Sequence, residues 1–334
     1  IFEKPGPNST PHEVHNYLTI PGLLSYVAGI WIINLNYWGC NQYITQRALG
    51  ADLPTARKGI LFAGFLKLLM PLIVMLPGIA AFVLHQKGMI QHEMLVNSKN
   101  GSVLPDNAYS AIVGFLPNGL IGLSLAALTA AIVASLAGKA NSISTIFTLD
   151  VYKKHINKNA DEKNMVWVGR ITILAALAVA IMFTWSDVLG IGGAGGFTYI
   201  QKYTGFISPG IFAMFILGMF WKRTTGAAAV VGVFAGFLLS VLFNELAPKW
   251  FGPETFLYTA YRNADGAYEI PFHICMGLAF FFTMAIMILV SLGGPKINPK
   301  AFALDRSMFK VSPGVLAMIV ITLMIISLLY VRFW

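Results

Sequence analysis

Eight long apolar runs punctuate these 334 residues, at about 22–46, 58–84, 118–149, 165–186, 188–221, 226–247, 270–292 and 311–333. Each is near the roughly 20 residues that cross the hydrocarbon core of a bilayer as a helix. Hydrocarbon offers no partner to a bare N–H or C=O, so a spanning segment must satisfy its backbone internally, as a helix or in a closed barrel. Runs of this length predict helices. Only 11% of the residues are charged and 57% are hydrophobic, whereas a soluble domain carries about 25% charged residues. The expectation is an all-α integral membrane protein embedded in a lipid bilayer, with no soluble domain. The third and fifth runs exceed what a bilayer needs, which predicts tilt, a break or a protruding end. Pro209, between Ser208 and Gly210, marks the expected break in the fifth. Pro71 and Pro77 are expected to bend the second.

The formal charge of +9 is distributed in alternation rather than in one patch. Basic residues gather after the first run (Arg47, Arg57, Lys58), the third (Lys153, Lys154, Lys158, Lys163), the fifth (Lys222, Arg223) and the seventh (Lys296, Lys300, Arg306, Lys310). The opposite side holds Lys4, Lys87, Lys99, Lys249, Arg262 and Arg332 over more residues. This asymmetry argues for membrane orientation, not nucleic-acid binding, and predicts both termini outside the cytoplasm. Cys40 and Cys275 both fall in apolar runs, which excludes a disulfide framework and a Cys-rich metal site. The chain opens on Ile1 with no signal-peptide pattern, which predicts a fragment beginning in a polar loop.

Inside the first run stands a polar stretch, Asn34-Leu35-Asn36-Tyr37-Trp38-Gly39-Cys40-Asn41-Gln42-Tyr43. An unpaired carboxamide in hydrocarbon costs about 1–3 kcal/mol or more. Such a cluster persists where it faces a bundle interior or a watery cavity, and there it marks a substrate path. Aromatic rings beside amides suit a sugar ring, the rings meeting its C–H face and the amides its hydroxyls. Polar bonding between helices is the competing reading.

Lys67 lies about nine residues into the second run, roughly 13 Å along a helix from the cytoplasmic end, which is far for snorkelling. Ala131, Ala134 and Ser135 share a helix face, so the carbonyl of the first can converge with side-chain oxygens three and four residues on. That geometry offers neutral oxygens to a small alkali cation; a back-bond of Ser135 to its own helix is the alternative. Gly190 to Gly195 matches G-x-G-x-x-G, yet no strand precedes it, so close packing or a flexible opening to the fifth span is expected there. His12, His15, His85 and His92 lack metal-ligand spacing on one helix. Asp150 and Asp187, at span ends, leave too little carboxylate within the spans for a membrane-embedded enzyme.

Four segments carry a family likeness: Asn34 to Arg47, Lys58 to Gly78, Leu125 to Lys153 and Phe197 to Arg223. In order and spacing they resemble the sodium/solute symporter family, most closely its bacterial sodium/galactose branch. The resemblance implies a leucine-transporter-type fold of two inverted five-helix repeats around a midplane site. It implies an extracellular loop at 1–21, the second repeat at 22–221 and three peripheral helices at 222–334. The first repeat, with part of the sugar site and half of the sodium site, is then absent from the chain.

By the same likeness, Asn34 corresponds to a sugar-hydroxyl ligand, Tyr37 to the aromatic under the pyranose, and Trp38 lies beside it. Lys67 and Gln201 correspond to further sugar ligands. Ala131 and Ser135 correspond to sodium ligands, sodium being the coupling ion with no other cofactor implied. Two departures stand out: Ala134 occupies a position the family gives to serine or threonine, and Lys139 one it keeps apolar. The implied activity is sodium-coupled symport of a galactose- or glucose-like sugar by alternating access in the inner (plasma) membrane, and not enzymatic. Symport of an amino acid, vitamin or sialic acid, or a sugar-gated sensor or channel, are the alternatives. Four neutral-hydroxyl partners without a carboxylate-binding arginine favour the sugar.

Overall fold

A computed structural model describes residues 4–6, 8–95, 103–185, 196–252, 260–262 and 266–333. Among them, eight helices are long and apolar enough to cross a membrane: Glu13–Cys40, Leu53–Gln86, Asn118–Ile156, Glu162–Met182, Ile200–Phe220, Gly226–Phe251, Phe272–Leu292 and Pro313–Arg332. The expected all-α architecture is present. One two-residue antiparallel ribbon, Tyr261 opposite Glu269 and Arg262 opposite Tyr268, precedes the seventh span. The chain divides into two compact units, Ile1–Thr45 with Thr198–Trp334, and Gln46–Phe197.

In the first unit, chain entry is fixed by a capping box ahead of the helix Pro11–Thr19. Glu13 N–H donates to Thr10 Oγ1 at 3.3 Å and Thr10 N–H to Glu13 Oε2 at 2.8 Å, which satisfies two otherwise orphaned donors. The packing that follows is built on small residues, because lipid gives helices no hydrophobic reason to associate and close contact must do so. The seventh span lies against the first at Gly29 and Gly277; a Cβ at Gly277 would meet the Ala28 carbonyl at 2.6 Å. Gly210 on the fifth span meets Gly232 and Gly236 on the sixth, and Gly205 meets the Met276 side chain on the seventh. Ile32, Phe212, Ala213, Leu217, Ala228, Phe280 and Met287 form the core between these helices. Trp31 sits edge-on to Phe212 and Phe280, with centroids 5.8 and 5.3 Å away.

The loop joining the fifth and sixth spans satisfies the helix ends around it. Thr224 Oγ1 donates to the Leu217 carbonyl at 2.8 Å, and Arg223 donates to the Leu292 carbonyl at 2.7 Å. Thr225 caps the sixth span by accepting from Ala228 N–H at 3.2 Å, and Asn298 donates to the Thr224 carbonyl at 2.7 Å. These side chains take up carbonyls and amides that a helix terminus leaves over.

Contrary to the expected break at Pro209, the fifth span is one unbroken helix, Gly196–Phe220. Pro209 is fully buried, and the glycines flanking it lock the helix against its neighbours on both sides. Packing therefore overrides the local cost of the proline. The first span, by contrast, ends earlier than 46: Asn41 is extended (φ −81°, ψ 119°) and a separate helix, Gln42–Ala48, follows.

In the second unit, Asp52 caps the second span by accepting from Thr55 N–H at 3.4 Å. Hydrogen bonding from Thr55, first from its side chain and then from this backbone N–H, holds the Asp52 carboxyl below the ordinary aspartate range. The second span tightens to a 3₁₀ turn at Lys67–Leu69. The cause is Pro71, which has no N–H to donate to the Lys67 carbonyl four residues back; Met70 N–H donates there instead. The third span continues past its α-helical part, Asn118–Thr145, into a π-helical extension, Ile146–Ile156, so its excess length emerges at the basic end. It packs against the fourth at Gly169, where a Cβ would lie 2.6 Å from Ser144 Oγ.

Candidate functional site

The first span departs from α-helical winding around the polar motif. It carries π-helical turns at Tyr26–Ile30 and Asn36–Cys40, and it stops at Asn41. A π turn inserts a residue into the helical register and frees backbone groups, a feature that recurs at functional sites. Asn41 stabilises the interruption locally: its Oδ1 accepts from Tyr43 N–H at 3.0 Å, and its carbonyl accepts from Thr45 Oγ1 at 3.1 Å. A broken helix thus directly follows the Asn-Tyr-Trp motif.

Asn34 and Tyr37 are both exposed, on the side of the span away from buried Ile32. The Asn34 amide nitrogen donates to the Ile30 carbonyl at 2.8 Å, which orients the carboxamide and leaves its oxygen as an acceptor. Tyr37 and the half-buried Trp38 stand edge to face, with centroids 5.9 Å apart and planes at 88°. Asn36, on the half-buried side, keeps a buried Oδ1 with no hydrogen-bond partner among the described residues. Sequence reasoning singled out the motif but neither Asn36 nor the Asn41 interruption; the polar density of the run was the available signal.

Gln201 is half-buried on the fifth span, and among the described residues no hydrogen bond joins it to Asn34 or Tyr37. Trp31, three residues before Asn34, packs on Phe212, and Gln201 precedes Phe212 by 11 residues, or roughly 16 Å along the helix. Beside Gln201, Lys202 lies 3.8 Å from Glu245 and 4.0 Å from Glu269, and Glu245 also meets Lys249 at 3.8 Å. This network ties the fifth span to the sixth and to the strand entering the seventh.

In the second unit, Lys67 is exposed at the 3₁₀ turn that Pro71 creates. Ala131 and Ser135 are exposed on one face of the uninterrupted helix Asn118–Thr145, with Lys139 one turn further. Thr129 and Thr145 on this helix donate back to the carbonyls of Leu125 and Asn141, both at 2.8 Å. Among the described residues, Ser135 makes no such bond, so its hydroxyl is not consumed by the Ala131 carbonyl. Ala134 supplies no side-chain oxygen. Asp150 pairs with Lys154 at 2.5 Å, as a vestibule or terminal group would. Among the described residues no cluster of three His, Cys, Asp or Glu side chains could hold a metal ion. Asp187 and the glycines of 190–195 lie outside the described residues.

Residues 7–236 match the sodium:solute symporter family. The chain is 38% identical over 325 residues to a sodium/glucose cotransporter of Vibrio parahaemolyticus, covering 95% of this chain and 55% of that protein. It is 36% identical over 228 residues to human sodium/myo-inositol cotransporter 2 and 34% identical over 229 residues to sheep sodium/glucose cotransporter 1. Each of those alignments covers 66% of this chain and 33% of the relative. The chain thus spans about half the length of the first relative and a third of the other two. The match takes in the first five spans with the interrupted helix and every candidate ligand, and on that footing this multi-pass membrane chain belongs to the sodium:solute symporter family.

Proposed function

We propose that the protein is a sodium-coupled symporter of a galactose- or glucose-like sugar, working by alternating access. The observation that carries this reading is the interrupted first span, which presents Asn34 and Tyr37 side by side immediately before its break at Asn41. Tyr37, flanked by Trp38, offers a flat face to the C–H side of a pyranose, and the Asn34 oxygen accepts from a hydroxyl. Lys67 and Gln201 supply further donors to neutral hydroxyls, without a fixed carboxylate-binding arginine. Sodium is held by the Ala131 carbonyl and the Ser135 hydroxyl together with oxygens from elsewhere in the full-length protein. Coupling then needs only that sodium bind better to the conformation that accepts sugar, since linkage makes the effect reciprocal.

The relatives named for glucose and for myo-inositol all act on ring polyols, which supports a polyol over an amino acid. The alternation of basic loops supports an inner-membrane setting with both termini of this chain outside the cytoplasm. The test is uptake of labelled galactose, glucose and myo-inositol into proteoliposomes of the full-length protein, in sodium and in choline. Sodium-dependent uptake of one of the sugars is expected. Uptake of the same solute in choline overturns coupling, and uptake of none of the three overturns the polyol assignment.

A further inference from the structure

The third and fourth spans form an antiparallel pair with an open groove of about 390 Å³ along one flank, lined by Leu136, Ala137, Ala140, Asn141, Ile173 and Leu177. The third-helix residues among them span six positions, about 9 Å of length. The opposite side of that helix carries Ala131, Ser135 and Lys139, so the groove is separate from the candidate ion face. Arg170 precedes Ile173 by three residues and Leu177 by seven, which puts it on the same stripe of the fourth span, at the groove's end nearest the loop 157–161.

Arg170 is exposed, stands several residues inside the apolar part of the span, and makes no hydrogen bond or ion pair among the described residues. A guanidinium at that depth requires an anion or water, and its planar fork matches a phosphate. The adjoining loop region adds Lys153, Lys158 and Lys163, while Lys154 is engaged with Asp150. Basic residues beside a groove between spanning helices on the cytoplasmic side suit an anionic phospholipid headgroup.

We infer that this flank is a binding site for an anionic phospholipid of the cytoplasmic leaflet, its phosphate on Arg170 and an acyl chain in the groove beside Ala140 and Ile173. The test reconstitutes the full-length protein in nanodiscs of equal phosphatidylglycerol and phosphatidylcholine and counts retained lipids by native mass spectrometry. The parent retains phosphatidylglycerol in excess. Arg170→Gln lowers that excess at least threefold, Arg170→Lys keeps part of it, and Ala140→Phe, which fills the groove and leaves the arginine, lowers it as well. Equal retention of the two lipids by the parent overturns the site, as does an excess that survives either Arg170→Gln or Ala140→Phe.

Discussion

Ala28 on the first span and Gly277 on the seventh meet backbone to backbone, close enough that a Cβ at Gly277 would lie 2.6 Å from the Ala28 carbonyl oxygen and 3.1 Å from its Cα. Those neighbours are backbone atoms and cannot rotate away. Gly29 faces His273 in the same manner one turn earlier on the seventh helix. The seventh span therefore sets the position of the helix that carries Asn34 and Tyr37, although it contributes no candidate ligand itself.

Gly277→Val is expected to force the two helices apart. Overpacking of this kind costs about 1–3 kcal/mol, and here it also displaces the sugar motif. The thermal midpoint of the detergent-solubilised full-length protein should fall, with uptake lost even where folded protein is recovered. Gly277→Ala should show the same direction at smaller size. A Gly277→Val protein with parental stability and uptake contradicts the contact.

Tyr37→Ala removes the flat face and should weaken sugar uptake, while Tyr37→Phe keeps most of it. Stacking on an aromatic is worth about 1–3 kcal/mol at nucleic-acid sites, and about 1.4 kcal/mol corresponds to tenfold in affinity. Asn34→Ala and Gln201→Ala each delete a hydrogen bond worth about 0.5–1.5 kcal/mol net. Each should raise the half-saturation for one sugar epimer more than for another. An equal loss for every sugar points to misfolding instead.

Pro71→Ala returns an N–H to the helix and lets it donate to the Lys67 carbonyl, which removes the reason for the 3₁₀ turn. The second span should straighten and Lys67 rotate out of its present direction. Stability should hold or rise, because alanine is the better helix former by about 3 kcal/mol at an unstrained interior position. Uptake should fall towards that of Lys67→Met. Unchanged uptake in Pro71→Ala separates the turn from function.

Ser135→Ala should sharply raise the sodium concentration needed for half-maximal uptake, since Ala134 already withholds one oxygen. Ala134→Ser should lower it. If Lys139 supplies the positive charge in place of sodium, the parent takes up sugar in choline, and Lys139→Met confers sodium dependence. Uptake in sodium against choline for the parent and the three variants decides between these outcomes.

The eight spans were legible in the sequence because hydrocarbon leaves a backbone no partner but itself, so each crossing must be written as a long apolar run. The turn at Lys67 was foreshadowed by Pro71 for an equally local reason, a missing donor. Pro209 carried the same local signal and the helix nonetheless runs through it, because Gly205 and Gly210 are held by neighbours distant in sequence. Asn34, Tyr37, Trp38, Lys67, Gln201, Ala131 and Ser135 stand as candidates on residue type, depth and family likeness. The π-helical turns around the first motif and the stop at Asn41 were not, since no rule of local propensity distinguishes such a turn from α-helix within an apolar run.

The surrounding solvent, the number of crossings and the chemical character of the polar positions follow from composition and periodicity. The tertiary structure decided which apolar faces meet. The seventh and eighth spans are comparably apolar, yet half of the seventh's most apolar window is buried and only 6% of the eighth's. Hydrophobicity drives both into lipid and cannot rank them within it. Glycine contacts between specific backbones do so, because association inside a bilayer depends on close van der Waals approach that exists only once the helices are placed side by side.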